Sequence, residues 1–292
     1  MDFTILLQLV ISGLLIGGVY ALISIGLTLI FGVMRIVNFA HGEFVILSMF
    51  ITYWIVTLSG MSVFLALPIT ALAMLVFGVA VYLLIIRRTL SAPSVVQIFA
   101  TVGLGLLLSN GALLLWTADY RMLQTEIGTK VVRFAGIQVS APLLIAFVVA
   151  IIVAFALFAF LTFTHTGKAI RATVQDRRAA QLMGIDIDRI FLLTFAGGSC
   201  IVGIAGALLA PIFPVFPTAG LSFGVICFVV VVLGGLGSMV GALLGGLLIG
   251  LVENLSGYFL DAGLKQAMYF VVFIIILIFR PNGFFGLKGD EE

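Results

Sequence analysis

Charged residues and cysteines are both scarce in this chain of 292 residues. Only 9% of the residues are charged and 63% are hydrophobic, whereas an ordinary soluble domain has roughly 25% charged residues. That balance excludes a soluble globular domain and is typical of a protein embedded in a bilayer. The two cysteines, Cys200 and Cys227, lie in apolar runs far from His41 and His165. We therefore expect neither a disulfide framework nor a metal site, and no cofactor.

The motif of nucleotide hydrolysis is missing as well. A phosphate-binding loop needs the pattern GxxxxGK followed by Ser or Thr. The only Gly-Lys pair is Gly167 and Lys168, with Thr162 in place of the first glycine and Ala169 after the lysine. The sequence also contains no His-Glu-x-x-His metalloprotease motif. We therefore expect a chain that does not hydrolyse ATP by this route and is not an enzyme on its own.

Long charge-free runs are what the chain does contain. A single membrane crossing needs about 20 apolar residues, and continuous rather than alternating apolar runs favour helices over a barrel. We expect an all-α polytopic bundle of eight or nine spans in one domain, residues 1–292, with the first span retained rather than removed as a signal peptide. The spans are expected near residues 5–31, 43–58, 62–86, 95–117, 141–163, 191–210, 222–236, 240–258 and 266–280.

The sixth and seventh spans have unusual ends. Pro211, Pro214 and Pro217 lie close together, and proline removes an amide donor and disfavours helix in the residue before it. We therefore expect the sixth span to end there and the segment 211–220 to form an ordered irregular loop. The seventh span, 222–236, would be only about 22 Å long, so we expect it to be tilted, broken or re-entrant.

Basic residues concentrate near one set of span ends. If the loop after the third span is cytoplasmic, only Arg121, Lys130, Arg133 and Lys265 lie outside. The excess of basic residues on the cytoplasmic side predicts an external N-terminus and a cytoplasmic C-terminus. The largest polar stretches would then be 118–140 outside and 165–189 inside. The inner basic residues are Arg35, Arg87, Arg88, Lys168, Arg171, Arg177, Arg178, Arg189, Arg280 and Lys288.

One polar cluster interrupts the apolar sequence early in the chain. The segment GLTLIFGVMRIVNFAHGEF, residues 26–44, holds Arg35, Asn38, His41 and Glu43 between two strongly apolar runs. Such groups need partners or water inside hydrocarbon. One interpretation is a short cytoplasmic turn whose charges anchor at the headgroups; the other is a gate, a pathway or a subunit contact. A metal pair of His41 and Glu43 lacks further ligands.

The most polar stretch is HTGKAIRATVQDRRAAQLMGIDIDR, residues 165–189. Good helix formers from 168 to 183, followed by Gly184, predict one short helix outside the membrane. Around Asp176, small or apolar side chains cluster on one helical face and permit close docking into another protein: Ala172, Ala179 and Met183. The alternative is an exposed loop that merely follows the positive-inside rule.

Glycines four residues apart recur in GGLGSMVGALLGGLLIGLVEN. Such spacing on a helix lets a neighbouring helix approach closely. Helix breaks beside a pathway are the other interpretation. The candidates for helix packing are Gly237, Gly241, Gly245 and Gly250.

Glu253 is the only charge between Arg189 and Asp261. A headgroup position or a hydrogen bond to a neighbouring helix would explain it. A pathway or gate role is the alternative, because acids inside membranes are often functional.

Three segments carry a family resemblance: GLTLIFGVMRIVNFAHGEF, GKAIRATVQDRRAAQLMGID and VLGGLGSMVGALLGGLLIGLVEN. Their order and positions resemble the branched-chain amino-acid ABC transporter permeases, and within them the shorter of two paired permeases. The resemblance covers essentially the whole chain. It implies a bacterial inner-membrane importer made of this permease, a second homologous permease, two cytoplasmic ATPases and a periplasmic substrate-binding protein, with no nucleic acid involved.

The resemblance also implies a coupling helix that docks into a groove on the ATPase, at positions matching 167–188 here. ATP hydrolysis would then occur in the partner chains. The expected coupling residues are Gly167, Lys168, Arg171, Asp176, Ala179, Ala180 and Gly184.

Alternative functions remain open at this point. Similar permeases serve urea and short-chain amides as well as leucine, isoleucine, valine and other neutral amino acids. The intramembrane Glu253 motivates a self-sufficient ion-coupled secondary transporter or channel instead. A structural membrane scaffold, which would show no uptake, is the third hypothesis.

Overall fold

The chain forms a bundle of membrane-length helices. The computed structural model describes residues 3–125, 127–134 and 136–286. It is 78% helical, and within these residues eight helical segments are long and apolar enough to cross a membrane. The predicted all-α polytopic bundle is therefore confirmed. One further apolar helix, Lys265–Phe279, is shorter, with 15 residues and a length of about 22 Å.

The helices follow one another in a simple order along the chain. They are α1 Phe3–Met34, α2 His41–Ser59, α3 Val63–Val81, α4 Arg87–Thr89, α5 Ser94–Trp116, α6 Ala141–Phe163, α7 His165–Gln175, α8 Arg177–Leu182, α9 Ile187–Leu209, α10 Gly220–Gly234, α11 Met239–Phe259 and α12 Lys265–Phe279. A π-helical turn, Tyr82–Ile86, joins α3 and α4 into one rod. The strands β1 Val131–Phe134 and β2 Ile137–Ser140 pair antiparallel in the 118–140 stretch, where no strand was expected.

Helix α1 lies at the centre of the bundle. It contacts α6, α9, α10 and α11, and every residue from Gly17 to Ile30 is buried. By contrast, α5 and α6 present large apolar side chains such as Leu114 and Phe155 on the outside. An outward apolar surface of this kind faces lipid in a membrane protein, so the bundle has a central helix and a peripheral, lipid-compatible layer.

The two ends of the bundle differ in charge. We call the end where α1 stops the basic end, because Arg177 contacts the Met34 carbonyl there and Arg87 forms an ion pair with Asp188 at the start of α9. Helix α12 also ends at the basic end, whereas α1 begins at the opposite end. Lys288, expected on the basic side, lies outside the described residues.

Helices α2 and α10 both begin inside the bundle rather than at one of its ends. The His41 ring nitrogen Nε2 lies 3.0 Å from the Ile23 carbonyl oxygen of α1. Ile23 precedes the end of α1 at Met34 by eleven residues, or about 16 Å of helix. The segment 35–40 therefore runs back from the basic end to mid-depth, and the alternative of a simple headgroup turn is wrong for Asn38 and His41, which are both buried.

The break between α9 and α10 lies where the prolines predicted it. Helix α9 ends at Leu209, two residues before Pro211, and the segment up to Phe216 is irregular. A 3-10 turn, Pro217–Ala219, then leads into α10 at Gly220. The predicted span end and ordered loop are confirmed. The helix of the seventh span, α10, has 15 residues, and together with the preceding 3-10 turn it forms a segment of 18 residues that is long enough to cross a membrane.

The prediction of a single helix from 168 to 183 is wrong. The chain forms α7 and α8 instead, with Asp176 extended between them at φ −152° and ψ 112°. Asp176 Oδ1 accepts hydrogen bonds from the amides of Arg178 at 2.8 Å and Ala179 at 3.0 Å. This aspartate therefore caps α8, because its side chain satisfies amides that a helix start leaves free.

The break also changes the predicted docking face. Ala172 and Ala179 lie on different helices, so the single small-residue face around Asp176 does not form. Gly184, with φ +82°, follows the end of α8, and its amide donates to the Gln181 carbonyl at 2.9 Å. The predicted helix end at this glycine is confirmed.

Candidate functional site

A cavity lies at mid-depth where α2 and α10 begin. Its volume is about 400 Å³, within the range of about 300–1,000 Å³ typical of small-molecule sites. We call it the chamber. Its polar lining is Asn38, His41 and Glu43, and its apolar lining includes Leu27, Val102, Leu106, Leu221, Phe270 and Phe273.

The two helix starts meet backbone to backbone beside the chamber. A Cβ atom built on Gly42 would lie 2.0 Å from the Gly220 carbonyl oxygen and 2.5 Å from the Gly224 amide nitrogen. Only glycine permits this approach, which brings the amino ends of α2 and α10 together. Each helix start carries a partial positive charge, so the junction is a positive region inside an apolar bundle.

Residues 220–224 also fit the Gly-x-Ser-x-Gly pattern of a hydrolase nucleophile elbow. That motif requires a strand that leads into a sharp turn at the serine. Here Ser222 lies within α10, and no strand precedes it among the described residues. The glycines of this segment therefore serve helix packing rather than a nucleophile elbow.

Glu43 lies in the first turn of α2, on the chamber side of the junction. A Cβ on Gly220 would lie within 2.5 Å of both carboxylate oxygens of Glu43. The carboxylate therefore packs directly on the start of α10. It forms no salt bridge with any residue in the part of the chain that the structure describes. In place of a basic side chain, the amino ends of two helices face this carboxyl group, and their partial positive charge favours its ionised form.

Asn38 and His41 are the buried polar groups of the chamber, with exposures of 2% and 1%. Asn38 Oδ1 accepts from the Ala40 amide at 3.1 Å. Because the Ile23 carbonyl can only accept, His41 Nε2 donates to it, which leaves Nδ1 of a neutral ring as an acceptor. Within the described residues, Asn38 Nδ2 and His41 Nδ1 have no hydrogen-bond partner. Buried polar groups are normally hydrogen-bonded, so these two atoms are available to bind water or a ligand in the chamber.

Aromatic side chains close the chamber toward the basic end. The rings of Phe39 and Phe228 stack with a centroid distance of 6.1 Å. Phe228 follows Gly220 by eight residues, or about 12 Å along α10 toward the basic end. This pair was not anticipated from the sequence, because nothing in the spacing of two phenylalanines 189 positions apart indicates contact.

A second aromatic cluster lies at the opposite end. The Arg121 guanidinium lies 5.2 Å from the Trp54 ring and 5.9 Å from the Tyr53 ring. Arg121 also pairs through its backbone with Val215, which ties the 118–125 segment to the loop before α10. The cation–π contacts of Arg121 with these two rings hold the 118–125 segment against α2.

Two of the predicted gate residues lie away from the chamber. Arg35 is exposed at the basic end, where it ends α1 with φ +60°. Glu253 lies on α11, where its carboxyl interacts with the Tyr20 hydroxyl of α1 and, more weakly, with Lys265. The structure thus brings together Asn38, His41 and Glu43 but places Arg35 and Glu253 elsewhere.

The predicted packing glycines of α11 make close helix contacts. A Cβ on Gly241 would lie 1.9 Å from the Gly234 carbonyl oxygen, and one on Gly250 would lie 2.4 Å from the Gly17 backbone. Gly245 lies against the Val230 carbonyl of α10. Gly237, the fourth of the predicted packing glycines, precedes α11 with φ +88°, and a Cβ there would lie 3.2 Å from the Gly32 Cα of α1.

The helices α7 and α8 form a second candidate site at the basic end. Gly167 is buried, and a Cβ there would lie 2.2 Å from the Phe160 carbonyl oxygen, so glycine permits the tight turn after α6. Lys168 and Arg171 are exposed, whereas Ala180 is buried against the bundle. At the tip, Leu182 and Met183 are 88% and 83% exposed. An exposed apolar pair at a polar tip is typical of a contact with another protein.

Arg177 joins this site to the central helix. Its guanidinium donates to the carbonyls of Met34 at 2.8 Å and Val33 at 3.3 Å, at the end of α1, and lies 4.9 Å from the Phe191 ring of α9. Partial burial, with a smaller contribution from nearby Arg35, lowers the pKa of Arg177. The sequence gives Arg177 no special status among the basic residues, because its partners are backbone carbonyls more than 140 positions away in the chain.

No cluster of three or more His, Cys, Asp or Glu side chains suited to a metal ion occurs among the described residues. The chamber and the α7–α8 site are therefore built from hydrogen-bonding groups, apolar side chains and helix ends. Neither arrangement places a nucleophile beside a general base.

Comparison with known proteins identifies relatives over the whole chain. The BraD permease protein of a high-affinity branched-chain amino acid transport system from Pseudomonas aeruginosa is 30% identical, covering 98% of this chain and 97% of its own length. The corresponding LivH protein of Escherichia coli is 28% identical, covering 100% and 99%. A ribose import permease protein, RbsC of Haemophilus influenzae, is 26% identical, covering 92% and 83%. No solved structure matches the chain.

The match to a protein family is equally extensive. A family described as the permease component of branched-chain amino acid transport systems matches residues 9–278. That range includes the chamber, the starts of α2 and α10, α7 and α8. The chain therefore belongs to the family of branched-chain amino acid transport system permease components.

Proposed function

We propose that this multi-pass membrane protein is a permease subunit of an ATP-driven importer for leucine, isoleucine, valine or related neutral amino acids. The observation that carries the proposal is the chamber at the junction of α2 and α10, inside a bundle that belongs to a permease family. Irregular backbone at membrane depth occurs where it lines a cavity or is buried in protein. Helices that begin inside the membrane at a substrate site are a recurrent feature of transporters.

A second permease completes the path in this proposal. The chamber opens sideways between α5, α10 and α12, where Leu106 and Leu221 are largely exposed. A path that opened to lipid would leave a polar substrate without partners. A homologous permease chain packed on this face closes the chamber, and the path then lies between the two subunits.

Two ATPase subunits supply the energy, and one of them docks on α7 and α8 of this chain. The basic end is then the cytoplasmic end, as the distribution of basic residues predicts. Leu182 and Met183 enter the ATPase surface, and Lys168 and Arg171 contact its rim. A periplasmic substrate-binding protein delivers the amino acid at the opposite end.

Arg177 provides the mechanical link between the ATPase and the path. It holds α8 against the end of α1, and α1 continues directly into the segment 35–40 that forms one wall of the chamber. Movement of α8 on ATP binding would displace this segment and the Phe39–Phe228 pair. The amino acid would then leave toward the cytoplasm, an instance of a local event that biases a two-state bundle.

The proposal is tested with the double variant Leu182→Asp, Met183→Asp in the complete transporter. Two carboxylates in an apolar contact should abolish co-purification of the ATPase subunits and ATP-dependent leucine uptake into proteoliposomes. Gln181→Glu is the matched control, because it adds a negative charge to the same exposed helix without removing an apolar contact. This control should retain both activities.

Two results would contradict the proposal. One is normal ATPase retention and uptake by the double variant. The other is leucine uptake by this chain alone, driven by an ion gradient without ATP, which would show a secondary transporter instead.

A further inference from the structure

The charges around the chamber do not balance within the chain. Glu43 supplies a carboxylate, and none of the residues described pairs with it in a salt bridge. The starts of α2 and α10 offset the charge in part, because each helix start carries roughly half a positive charge. An ionised group at membrane depth needs a partner that neutralises the rest of its charge. A cationic group in the chamber would provide it.

The hydrogen-bonding groups of the chamber are also incomplete, and they divide by type. Glu43 and His41 Nδ1 are acceptors, which suit an ammonium group with its three donors. Asn38 Nδ2 is a donor and has no hydrogen-bond partner in the described part of the chain, and Asn38 is only 2% exposed. A donor of this kind suits a carboxylate.

The remaining lining is apolar and aromatic. Leu27 comes from α1, Val102 and Leu106 from α5, and Phe270 and Phe273 from α12. These side chains offer no hydrogen bond to a polar side chain of a ligand. They bury aliphatic surface, at about 25 cal/mol for each Å² removed from water.

We propose that the chamber is itself a selective binding site for the zwitterionic backbone of an α-amino acid with an apolar side chain. Glu43 and His41 hold the ammonium group, Asn38 holds the carboxylate, and the walls from α1, α5 and α12 contact the aliphatic side chain. The inference rests on the proposed function and deepens it, because it places substrate selection in the permease as well as in a delivery protein.

Other ligand classes fit the same groups less well. A neutral amide or urea would leave the Glu43 carboxylate without a cation, and an isolated anion would be repelled by it. A hard metal cation takes six or more oxygen ligands. The chamber offers a single carboxylate, and Asn38 Oδ1 is already bonded to the Ala40 amide. The charge pattern therefore selects an amino acid among the substrates that similar permeases carry.

The test uses the purified transporter without a substrate-binding protein and measures its thermal unfolding midpoint against ligand concentration. L-leucine carries both charged groups, L-leucinol only the ammonium and 4-methylpentanoate only the carboxylate. Ligand that binds the folded state raises the midpoint. We expect half of the maximal rise at a concentration at least ten-fold lower for L-leucine than for either of the other two ligands.

Two chamber variants separate the charged contacts. Glu43→Gln should raise the half-maximal concentration about ten-fold or more for L-leucine and L-leucinol. It should not raise that concentration for 4-methylpentanoate, because the Glu43 carboxylate repels this anion. Asn38→Asp keeps the oxygen that caps the Ala40 amide and replaces the donor. It should weaken L-leucine and 4-methylpentanoate but not L-leucinol. Glu253→Gln is the matched control, because Glu253 is the other carboxyl inside the bundle and does not line the chamber.

Several outcomes would overturn the inference. Equal responses to L-leucine and L-leucinol would show a site for cations alone. Equal effects of Glu43→Gln and Glu253→Gln would show that Glu43 does not contact the ligand. If Glu43→Gln fails to fold, two measurements still test the inference. They are the responses of the unaltered transporter to the three ligands and the responses of the Asn38→Asp variant. If these variants bind the ligands as the unaltered transporter does and also retain ATP-driven uptake, this inference is wrong and the proposed function still stands.

Discussion

Two polar stretches stand out in an otherwise apolar sequence, and they occupy opposite environments. Residues 35–43 run from the basic end to mid-depth, where Asn38 and His41 are almost fully buried. Residues 165–189 stay at the basic end, where Asp176, Arg178 and Met183 are exposed. Both stretches hold charges beside an apolar helix, so polarity alone does not determine depth.

The neighbours of each stretch explain the difference. The 35–43 stretch meets glycines on other helices, Gly220 on α10 and Gly105 on α5, whose missing side chains leave room for backbone and for the Glu43 carboxylate. The amides of the 165–189 stretch are instead satisfied by nearby side chains, those of Asp176 and of Thr164, which directly precedes the stretch. A polar segment can lie inside the bundle where glycines on neighbouring helices leave room for it. Without such glycines, the segment stays at the surface and its helix starts are capped by nearby side chains.

The largest expected effect breaks the glycine junction. Gly42→Ala places a Cβ 2.0 Å from the Gly220 carbonyl oxygen, and a backbone atom of a packed helix cannot move aside at little cost. We expect a destabilisation of about 1–3 kcal/mol from overpacking. It should appear as a lower unfolding midpoint of the purified protein and a smaller yield of monodisperse protein in detergent.

Gly103→Ala is the control for this substitution. Gly103 lies within α5, and a Cβ there would meet nothing within 4 Å. Because alanine favours a helix over glycine by about 1 kcal/mol, this variant should be as stable as the parent or slightly more stable. Equal unfolding midpoints for the two variants would show that the α2–α10 junction is looser than the structure indicates.

The sequence predicted the parts of the fold that depend on local patterns. The apolar runs gave the membrane-length helices, Pro211 gave the end of α9, and Gly184 gave the end of α8. The polar cluster at Asn38, His41 and Glu43 was recognised as a candidate gate or pathway. Each of these features depends on residues close together in the chain.

The rest depends on contacts between distant segments, which a single sequence does not reveal. Gly42 and Gly220 meet across 178 positions. Gly220 and Gly224 are four residues apart, but nothing in that spacing indicates Gly42 as their partner. The break at Asp176 was missed because helix propensity favours continuity through 168–183, whereas the aspartate side chain bonds the next amides more favourably. The presence of an Asp before Arg-Arg-Ala-Ala was the available signal for a helix cap.

A smaller effect is expected where the two polar stretches are linked. Arg177→Ala removes the hydrogen bonds to the end of α1 and the contact with Phe191. These interactions of a partly exposed arginine are worth about 1–2 kcal/mol. We expect retained ATP hydrolysis by the assembled transporter but at least a three-fold fall in leucine molecules transported per ATP, measured in proteoliposomes.

Arg178→Ala is the control for that link. Arg178 is the adjacent basic residue, and its side chain is exposed on the same helix. Arg178→Ala removes one positive charge from α8, as Arg177→Ala does, but breaks no contact with α1. The number of leucine molecules transported per ATP should therefore stay the same. A matching fall in both variants would mean that charge on α8, rather than the Arg177 contact with α1, determines coupling.

The smallest effect concerns the capping of α8 itself. Asp176→Ala removes the oxygen that accepts from the amides of Arg178 and Ala179, at a cost of about 1 kcal/mol. Hydrogen exchange of the amides in Arg177–Leu182 should become about five-fold faster, because α8 opens locally. Asp176→Ser keeps a capping oxygen and should exchange at nearly the parent rate. Since α8 has only six residues at the surface, the global unfolding midpoint should stay unchanged in both variants. A fall of that midpoint to the level of Gly42→Ala would show instead that the exposed stretch is as integral to the bundle as the buried one.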